Sequence, residues 1–154
     1  MNPSNITFAN NDDECFEIKI KEIGMTQDFD RKTGQENFVI SQPLYMAPEL
    51  VRHENYSEKI DVWSLGCITY QLLSGQTLFN GNNQKEINRN ICTQKIASND
   101  FKIQEFDAIS QRAKDFITQC LDRDQNERPS INELLDHPWI CDEPDKHDHG
   151  CEEQ

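Results

Sequence analysis

The sequence has no long apolar run, no closely paired cysteines and no excess of positive charge. No segment approaches the roughly 20 apolar residues that span a bilayer, and the first residues lead into no secretory signal pattern. The six cysteines are scattered without a CxxC pair, which favours reduced thiols in an intracellular, cytoplasmic compartment. The net charge of −13 argues against nucleic acid or a membrane as partner. A surface that is acidic only for solubility is the alternative interpretation.

Apolar residues make up 35% of the chain and cluster between Leu44 and Ile140. We therefore expect one domain over residues 1–140, followed by an acidic tail over residues 141–154 that lacks apolar periodicity and is predicted to be disordered. The tail contains two cysteines and two histidines that could in principle bind a metal, although their spacing matches no closed zinc pattern: Cys141, His147, His149 and Cys151. A solvated tail is the preferred interpretation.

Near the N-terminus, two short segments alternate apolar and polar residues, the period of a half-buried strand. They are Ile6–Phe8 and Phe16–Ile20. Residues 26–42 are polar and aperiodic, so the sequence predicts a loop there.

Four helices are predicted further along the chain. The first, Asp61–Leu73, is apolar on nearly every face and should be buried. The second covers Gln84–Cys92, and the third begins after a cap at Ser110. A capping box at Ser130 opens the fourth, with Leu134 and Leu135 pointing inward, and His137-Pro138-Trp139 ends it.

Three motifs stand in a fixed order: Ala47-Pro48-Glu49, then Asp61-Val62-Trp63-Ser64-Leu65-Gly66, then Arg128-Pro129. Together they resemble the C-terminal lobe of a eukaryotic serine/threonine protein kinase. His137-Pro138-Trp139-Ile140 is similar to the corresponding segment of the calcium/calmodulin-dependent and calcium-dependent kinases. The resemblance implies a mainly α fold, namely the helical C-terminal lobe of the kinase fold with two short strands at its N-terminus.

The resemblance also implies structural roles. Glu49 should form an ion pair with Arg128, and Asp61 should accept hydrogen bonds from the backbone of the catalytic loop. Trp63 and Gly66 would belong to the buried central helix. Because each charge of the pair lies in an apolar setting, removing one partner should cost about 3–5 kcal/mol.

At the chemical positions the sequence departs from the family pattern. Asn5 matches the metal-binding asparagine, but Glu22 replaces the metal-binding aspartate, and Asn2 stands where the catalytic loop has lysine. In the substrate loop Pro43 and Tyr45 are retained, whereas Gln42 replaces threonine. An amide at position 2 cannot supply the positive charge that stabilises the transferred phosphoryl group.

The sequence contains no glycine-rich loop, no phosphate-binding lysine of the N-terminal lobe and no His-Arg-Asp segment with the catalytic base. ATP and Mg²⁺ are thus implied for a complete domain, and this chain alone is predicted to bind neither tightly and to transfer no phosphate. Two functions remain open. The chain is the C-terminal portion of a serine/threonine kinase that acts on a protein substrate together with a missing N-terminal lobe, or it is a pseudokinase-type scaffold that binds a regulator near residues 84–92.

Overall fold

The computed structural model describes residues 1–9, 17–21, 43–94, 96 and 109–141, and gives the backbone of residues 27–30 and 35–38. The strands are β1 (Ile6–Phe8), β2 (Ile18–Ile20), β3 (Gln27–Asp30) and β4 (Gln35–Phe38). The α-helices are α1 (Pro48–Val51), α2 (Lys59–Ser74), α3 (Gln84–Thr93), α4 (Gln111–Cys120), α5 (Ile131–Leu135) and α6 (Pro138–Cys141). Two 3₁₀ turns cover Pro3–Asn5 and Pro43–Tyr45. No helix within these described ranges is long and apolar enough to cross a membrane.

Strands β1 and β2 form an antiparallel hairpin in which Ile6 lies opposite Ile20 and Phe8 opposite Ile18. Since alternate residues of a strand share a face, these four side chains lie on the same side of the hairpin. Phe8 is 65% exposed and Ile18 is 56% exposed, so part of this apolar face is open to solvent. The prediction of two N-terminal strands is confirmed, with the second starting at residue 18.

The prediction of a loop over residues 26–42 was wrong in part, because β3 and β4 lie inside it. They pair antiparallel, with Gln27 opposite Phe38 and Asp30 opposite Gln35. A hairpin of this kind is formed by backbone hydrogen bonds between neighbouring segments, which polar residues can make as well as apolar ones. The absence of apolar alternation therefore did not exclude strands.

Helix α2 is the centre of the fold, as predicted. Val62, Trp63, Cys67, Ile68 and Tyr70 are all buried along it. It ends at Gly75, whose φ of 70° is a left-handed conformation that costs glycine little.

Burial does not extend around the whole of α2, so the prediction that this helix is buried on nearly every face was wrong in part. Leu72 is 80% exposed and Leu73 is 37% exposed. Both lie in the last turn of the helix, where Ser74 is only 8% exposed, so the two leucines lie on a side of α2 that the described elements leave open. Composition indicates how apolar a helix is, whereas the packing of its neighbours decides which sides of it are covered.

Helix α4 packs closely against α2, and Gly66 makes this approach possible. A Cβ atom at position 66 would lie 2.7 Å from the Cβ of Cys120 and 3.0 Å from the Cγ of Leu121. Ser110 caps α4 as predicted, because its side chain accepts a hydrogen bond from the backbone N–H of Ala113. Phe116, Ile117 and Cys120, among others, are buried along α4.

Two cysteines lie within this helix–helix contact. Cys67 and Cys120 are free and buried, and burial is the main cause that raises the pKa of both thiols, that of Cys120 to about 12. A thiol in such surroundings stays protonated and acts as a small apolar side chain.

Helices α5 and α6 complete the described part. The capping box of α5 is present, since the Ser130 side chain accepts from the N–H of Glu133 while the Glu133 carboxylate accepts from the N–H of Ser130. Leu134 is buried, but Leu135 is 58% exposed, so the prediction that both point inward was wrong. Consecutive helical residues are about 100° apart, and this five-residue helix covers only one side of α2 and α4.

His137-Pro138-Trp139 follows the end of α5 as predicted, and it also starts α6. Proline fits the first position of a helix because its missing N–H has no partner there anyway. Helix α6 includes Cys141, which is one residue of the predicted tail. The rest of that tail, with His147, His149 and Cys151, lies outside the described residues.

Candidate functional site

Arg128 and Glu49 form a bidentate ion pair in the interior. Arg128 Nη1 donates to Glu49 Oε1 at 2.7 Å, and Nη2 donates to Oε2 at 3.0 Å. The arginine side chain is 0% exposed and the glutamate side chain is 3% exposed. Because Glu49 lies on α1 and Arg128 precedes α5, the pair joins segments that are 79 residues apart in sequence.

The remaining donors of the Arg128 guanidinium are also directed at the fold. Nη1 donates to the carbonyl of Lys59 and Nε donates to the carbonyl of Asp122, each at 2.9 Å. The guanidinium carbon lies 5.2 Å from the ring centroid of Trp63. The Trp63 ring is also stacked on Phe79. A buried ion pair is tolerated when such additional contacts replace the lost water.

The turn Pro43–Tyr45, which the resemblance assigns to a substrate loop, is joined to α2 by two hydrogen bonds. The Tyr45 hydroxyl donates to Gln71 Oε1, and the Ser64 hydroxyl donates to the carbonyl of Tyr45 at 2.9 Å. Burial, followed by the nearby Cys67, raises the pKa of the Tyr45 hydroxyl, which therefore stays a donor. The sequence motifs had identified Pro43 and Tyr45, but not Gln71. The only sequence signal for Gln71 was that it is a polar side chain between apolar neighbours, Tyr70 and Leu72.

At the N-terminus, the side chains of Asn2 and Asn5 each accept a backbone hydrogen bond within the 3₁₀ turn. Asn2 Oδ1 accepts from the N–H of Ser4 at 2.9 Å, and Asn5 Oδ1 accepts from the N–H of Asn2 at 3.2 Å. The Asn5 carbonyl accepts from the N–H of Lys21, next to β2, at 2.7 Å. Asn2 thus acts as a capping residue in this structure, and its side chain carries no charge.

Asp61 lies at the start of α2 with its side chain 61% exposed. Its Oδ1 accepts a hydrogen bond from the Met1 nitrogen at 3.2 Å. That nitrogen is a donor as a free amine and equally as part of a peptide bond. Asp61 therefore connects the central helix with the segment that leads into the Asn2–Asn5 turn.

The sequence profile described as "Protein kinase domain" matches residues 1–140. The chain belongs to the protein kinase family. Among its relatives, mouse myosin light chain kinase family member 4 is 37% identical over 143 residues, which cover 92% of this chain and 35% of that protein. Calcium-dependent protein kinase 4 of Arabidopsis thaliana is 39% identical over 150 residues, which cover 95% of this chain and 28% of that protein. The chain thus spans about a third or less of the curated relatives that it matches.

These findings confirm the predicted fold, the helical C-terminal lobe of a protein kinase with short strands at its N-terminus. They also confirm the resemblance to calcium-dependent kinases. Helix α2 is the buried central helix of this lobe, and the Ala-Pro-Glu motif lies at the start of α1.

The described residues do not by themselves make a magnesium site for a kinase reaction. Asn5 offers one amide oxygen, which already accepts the N–H of Asn2, whereas Mg²⁺ requires near-octahedral coordination by oxygen. No group of three or more His, Cys, Asp or Glu side chains in the described part of the chain could hold a metal. Glu22 and Gln42, the other predicted positions, lie outside the described residues.

Proposed function

We propose that this chain is the substrate-holding, C-terminal part of a serine/threonine protein kinase domain, and that its 154 residues alone do not transfer phosphate. In a complete domain, ATP bound with Mg²⁺ would supply the phosphoryl group for a serine or threonine of a protein substrate. The residues of this chain would order the substrate loop and the end of the catalytic loop.

The observation that carries this proposal is the chain of contacts from Arg128 to the substrate loop. Arg128 holds Glu49 on α1, directly after that loop, and α2 holds Tyr45 within the loop through Ser64 and Gln71. Positioning of a substrate is a large part of phosphoryl-transfer catalysis, since the transition state requires little covalent participation by the protein. A lobe built in this way is equipped for positioning.

The groups that would take part in the phosphoryl transfer itself are less complete than those that position the substrate. Asn2 uses its side chain as a cap and has no ammonium group to place on a phosphoryl oxygen. Loss of a transition-state donor of this kind costs on the order of a hundredfold in rate. The sequence also contains no substitute for the catalytic base or for the lysine that binds the nucleotide phosphates. These features support the proposal that the chain alone is inactive.

The direct test is a phosphotransfer assay on the purified chain with Mg²⁺ and with Mn²⁺, using a general serine/threonine kinase substrate such as myelin basic protein. We expect phosphate incorporation no higher than that of the Asn5→Ala variant. Incorporation clearly above this control would contradict the proposed inactivity.

A second function, a pseudokinase-type scaffold that binds a protein regulator, is favoured by the same cap at Asn2. The side chain that would face phosphate in an active kinase serves the local structure instead, while the buried anchor of Arg128 and Glu49 is complete. A protein selected only for binding would show this combination.

A chimaera distinguishes the two functions. Residues 1–141 would be joined behind the N-terminal portion of the kinase domain of Arabidopsis calcium-dependent protein kinase 4, which supplies the absent groups. If the chain is a kinase portion, the chimaera phosphorylates a peptide, Asn2→Lys raises the rate, and Asn5→Ala abolishes it. A folded chimaera that stays inactive even with Asn2→Lys and Glu22→Asp would favour the scaffold.

The scaffold's binding surface can be tested on α3. Ile87 packs against the hydrophobic core, so a charge there would disturb folding as well as binding. Lys85 is exposed, and the Arg89 side chain is 67% exposed, so Lys85→Glu and Arg89→Glu change the outer surface alone. Loss of a purified partner with these variants, but not with the exposed Arg112→Glu on α4, would support α3 as the docking helix.

A further inference from the structure

His137 lies between α5 and α6 and caps α6 with its side chain. Its Nδ1 accepts a hydrogen bond from the backbone N–H of Trp139 at 3.1 Å. Its carbonyl accepts from the N–H groups of Ile140 at 2.8 Å and Cys141 at 3.0 Å. The residue is only 7% exposed. The usual caps of helix N-termini are Ser, Thr, Asp and Asn, which accept hydrogen bonds whatever the pH near neutrality.

A histidine can serve as this cap only while it is neutral. The N–H of Trp139 is a donor, so Nδ1 must carry a lone pair, and the ring proton must reside on Nε2. A proton added to the ring would occupy that lone pair and remove the acceptor. It would also place a positive charge at the N-terminus of α6, where the helix dipole disfavours a cation.

The aromatic surroundings link this cap to the packing of α6. The His137 ring meets Phe116 of α4 edge to face, with centroids 5.3 Å apart, and Phe116 also contacts Trp139 with centroids 5.0 Å apart. Release of the Trp139 backbone would therefore loosen the contact between α6 and α4.

None of the ion pairs formed by the described residues includes His137. The charged residues on the elements packed around it are Arg112, Lys114 and Asp115 of α4, Glu133 of α5 and the adjoining Asp136. Asp115 accepts from Gln111, and Glu133 accepts from Ser130, so both carboxylates are bonded within their own helices. The imidazole meets the uncharged ring of Phe116 edge to face and accepts a hydrogen bond from the backbone N–H of Trp139.

We propose that His137 is a proton-sensitive cap, which holds α6 against α4 while its ring is neutral and releases α6 when the ring gains a proton. Histidine is the side chain whose charge ordinarily changes between about pH 5 and 8. The sign is fixed by the geometry, because the stabilisation requires the neutral ring and is lost as the pH falls. The inference does not depend on catalytic activity of the chain.

Amide hydrogen exchange of the full chain, followed by NMR at pH 7.5 and pH 5.5 and corrected for intrinsic exchange rates, tests the proposal. We expect protection of the Trp139, Ile140 and Cys141 amides to fall about fivefold in acid, the factor that corresponds to a helix cap worth about 1 kcal/mol. The amides of α2 should not change. At pH 7.5 the ¹⁵N shifts of the His137 ring should identify the Nε2–H tautomer.

Two asparagine variants provide the controls. In His137→Asn the side-chain oxygen can cap α6 at either pH, so the acid-dependent loss should disappear. His53→Asn removes a different, exposed histidine whose φ of 57° asparagine tolerates, so the loss should remain. An unchanged acid response in His137→Asn, no response in the wild type, or a wild-type ring in the Nδ1–H tautomer would each overturn the proposal. The tautomer measurement decides the matter even if the variant fails to fold.

Discussion

Around Arg128, charged groups are fully buried and bonded, whereas around Asn5 the functional side chains lie on a turn beside a partly exposed hairpin. The Arg128–Glu49 pair is enclosed by α1, α2 and the segment before α5. The β1–β2 hairpin keeps Phe8 and Ile18 more than half exposed. The Arg128–Glu49 pair is thus enclosed by the helical part of the chain, whereas Asn2 and Asn5, which are partly buried, lie beside the exposed strand β2.

The largest expected effect comes from breaking the buried pair. Arg128→Ala should lower the free energy of unfolding by about 3–5 kcal/mol, because it leaves the Glu49 carboxylate buried without its partner. Urea unfolding, followed by circular dichroism, measures the change. Arg89→Ala is the matched control, since the Arg89–Glu86 pair spans 3.6 Å at the surface and should contribute less than about 1 kcal/mol. Equal costs for the two variants would remove the distinction between the regions.

The next effect concerns the contact of α2 with α4. Gly66→Ala should cost about 1–3 kcal/mol, because the new methyl group would lie 2.7 Å from the Cβ of Cys120 and force the helices apart. Gly75→Asn is a useful control, since position 75 has a positive φ but no neighbour within 4 Å. If Gly66→Ala unfolds at the same denaturant concentration as the wild type, the close approach of the helices is wrong.

Alkaline pH should weaken the same helix contact. The pKa of Cys67 and that of Cys120 are raised in the folded chain, chiefly by burial. Stability is therefore full below the ordinary thiol pKa and is lost as the pH rises above it toward the folded values. Between pH 9 and 11 the free energy of unfolding should fall by up to about 1.4 kcal/mol per pH unit for each thiol.

The Cys67→Ala/Cys120→Ala double variant tests whether these two thiols cause the loss of stability at alkaline pH. Its stability at pH 7.5 can differ from that of the wild type, so the slope against pH is the quantity to compare. A slope as steep as that of the wild type would assign the alkaline sensitivity to other groups.

The smallest effect is expected in the hairpin. Phe8→Thr should change the free energy of unfolding by less than about 0.5 kcal/mol, because the ring is already 65% exposed. If this open apolar face promotes self-association, the variant should be more monomeric in sedimentation velocity than the wild type. A loss of several kcal/mol would show that the hairpin is part of the cooperative core.

Much of the helical lobe could be predicted from the sequence, because the signals that mark helix ends are local. The caps at Ser110 and Ser130 and the glycine after Ser74 mark helix ends through backbone groups only a few residues away. The motif order also implied the ion pair of Glu49 with Arg128. Exposure was harder to predict, as Leu72 and Leu135 show, because it depends on which sides of a helix the neighbouring elements cover.

What the sequence by itself determined is the type of fold, the approximate starts of α2 to α5, and the partnership between residues 49 and 128. Each follows from short-range backbone chemistry or from a recognisable motif. Only the tertiary structure decided that Gln71 accepts a hydrogen bond from Tyr45, that Asn2 is a cap and that His137 accepts the N–H of Trp139. The physical reason is that a hydrogen bond depends on the position and direction of two atoms, and composition and periodicity do not fix these until the chain has packed.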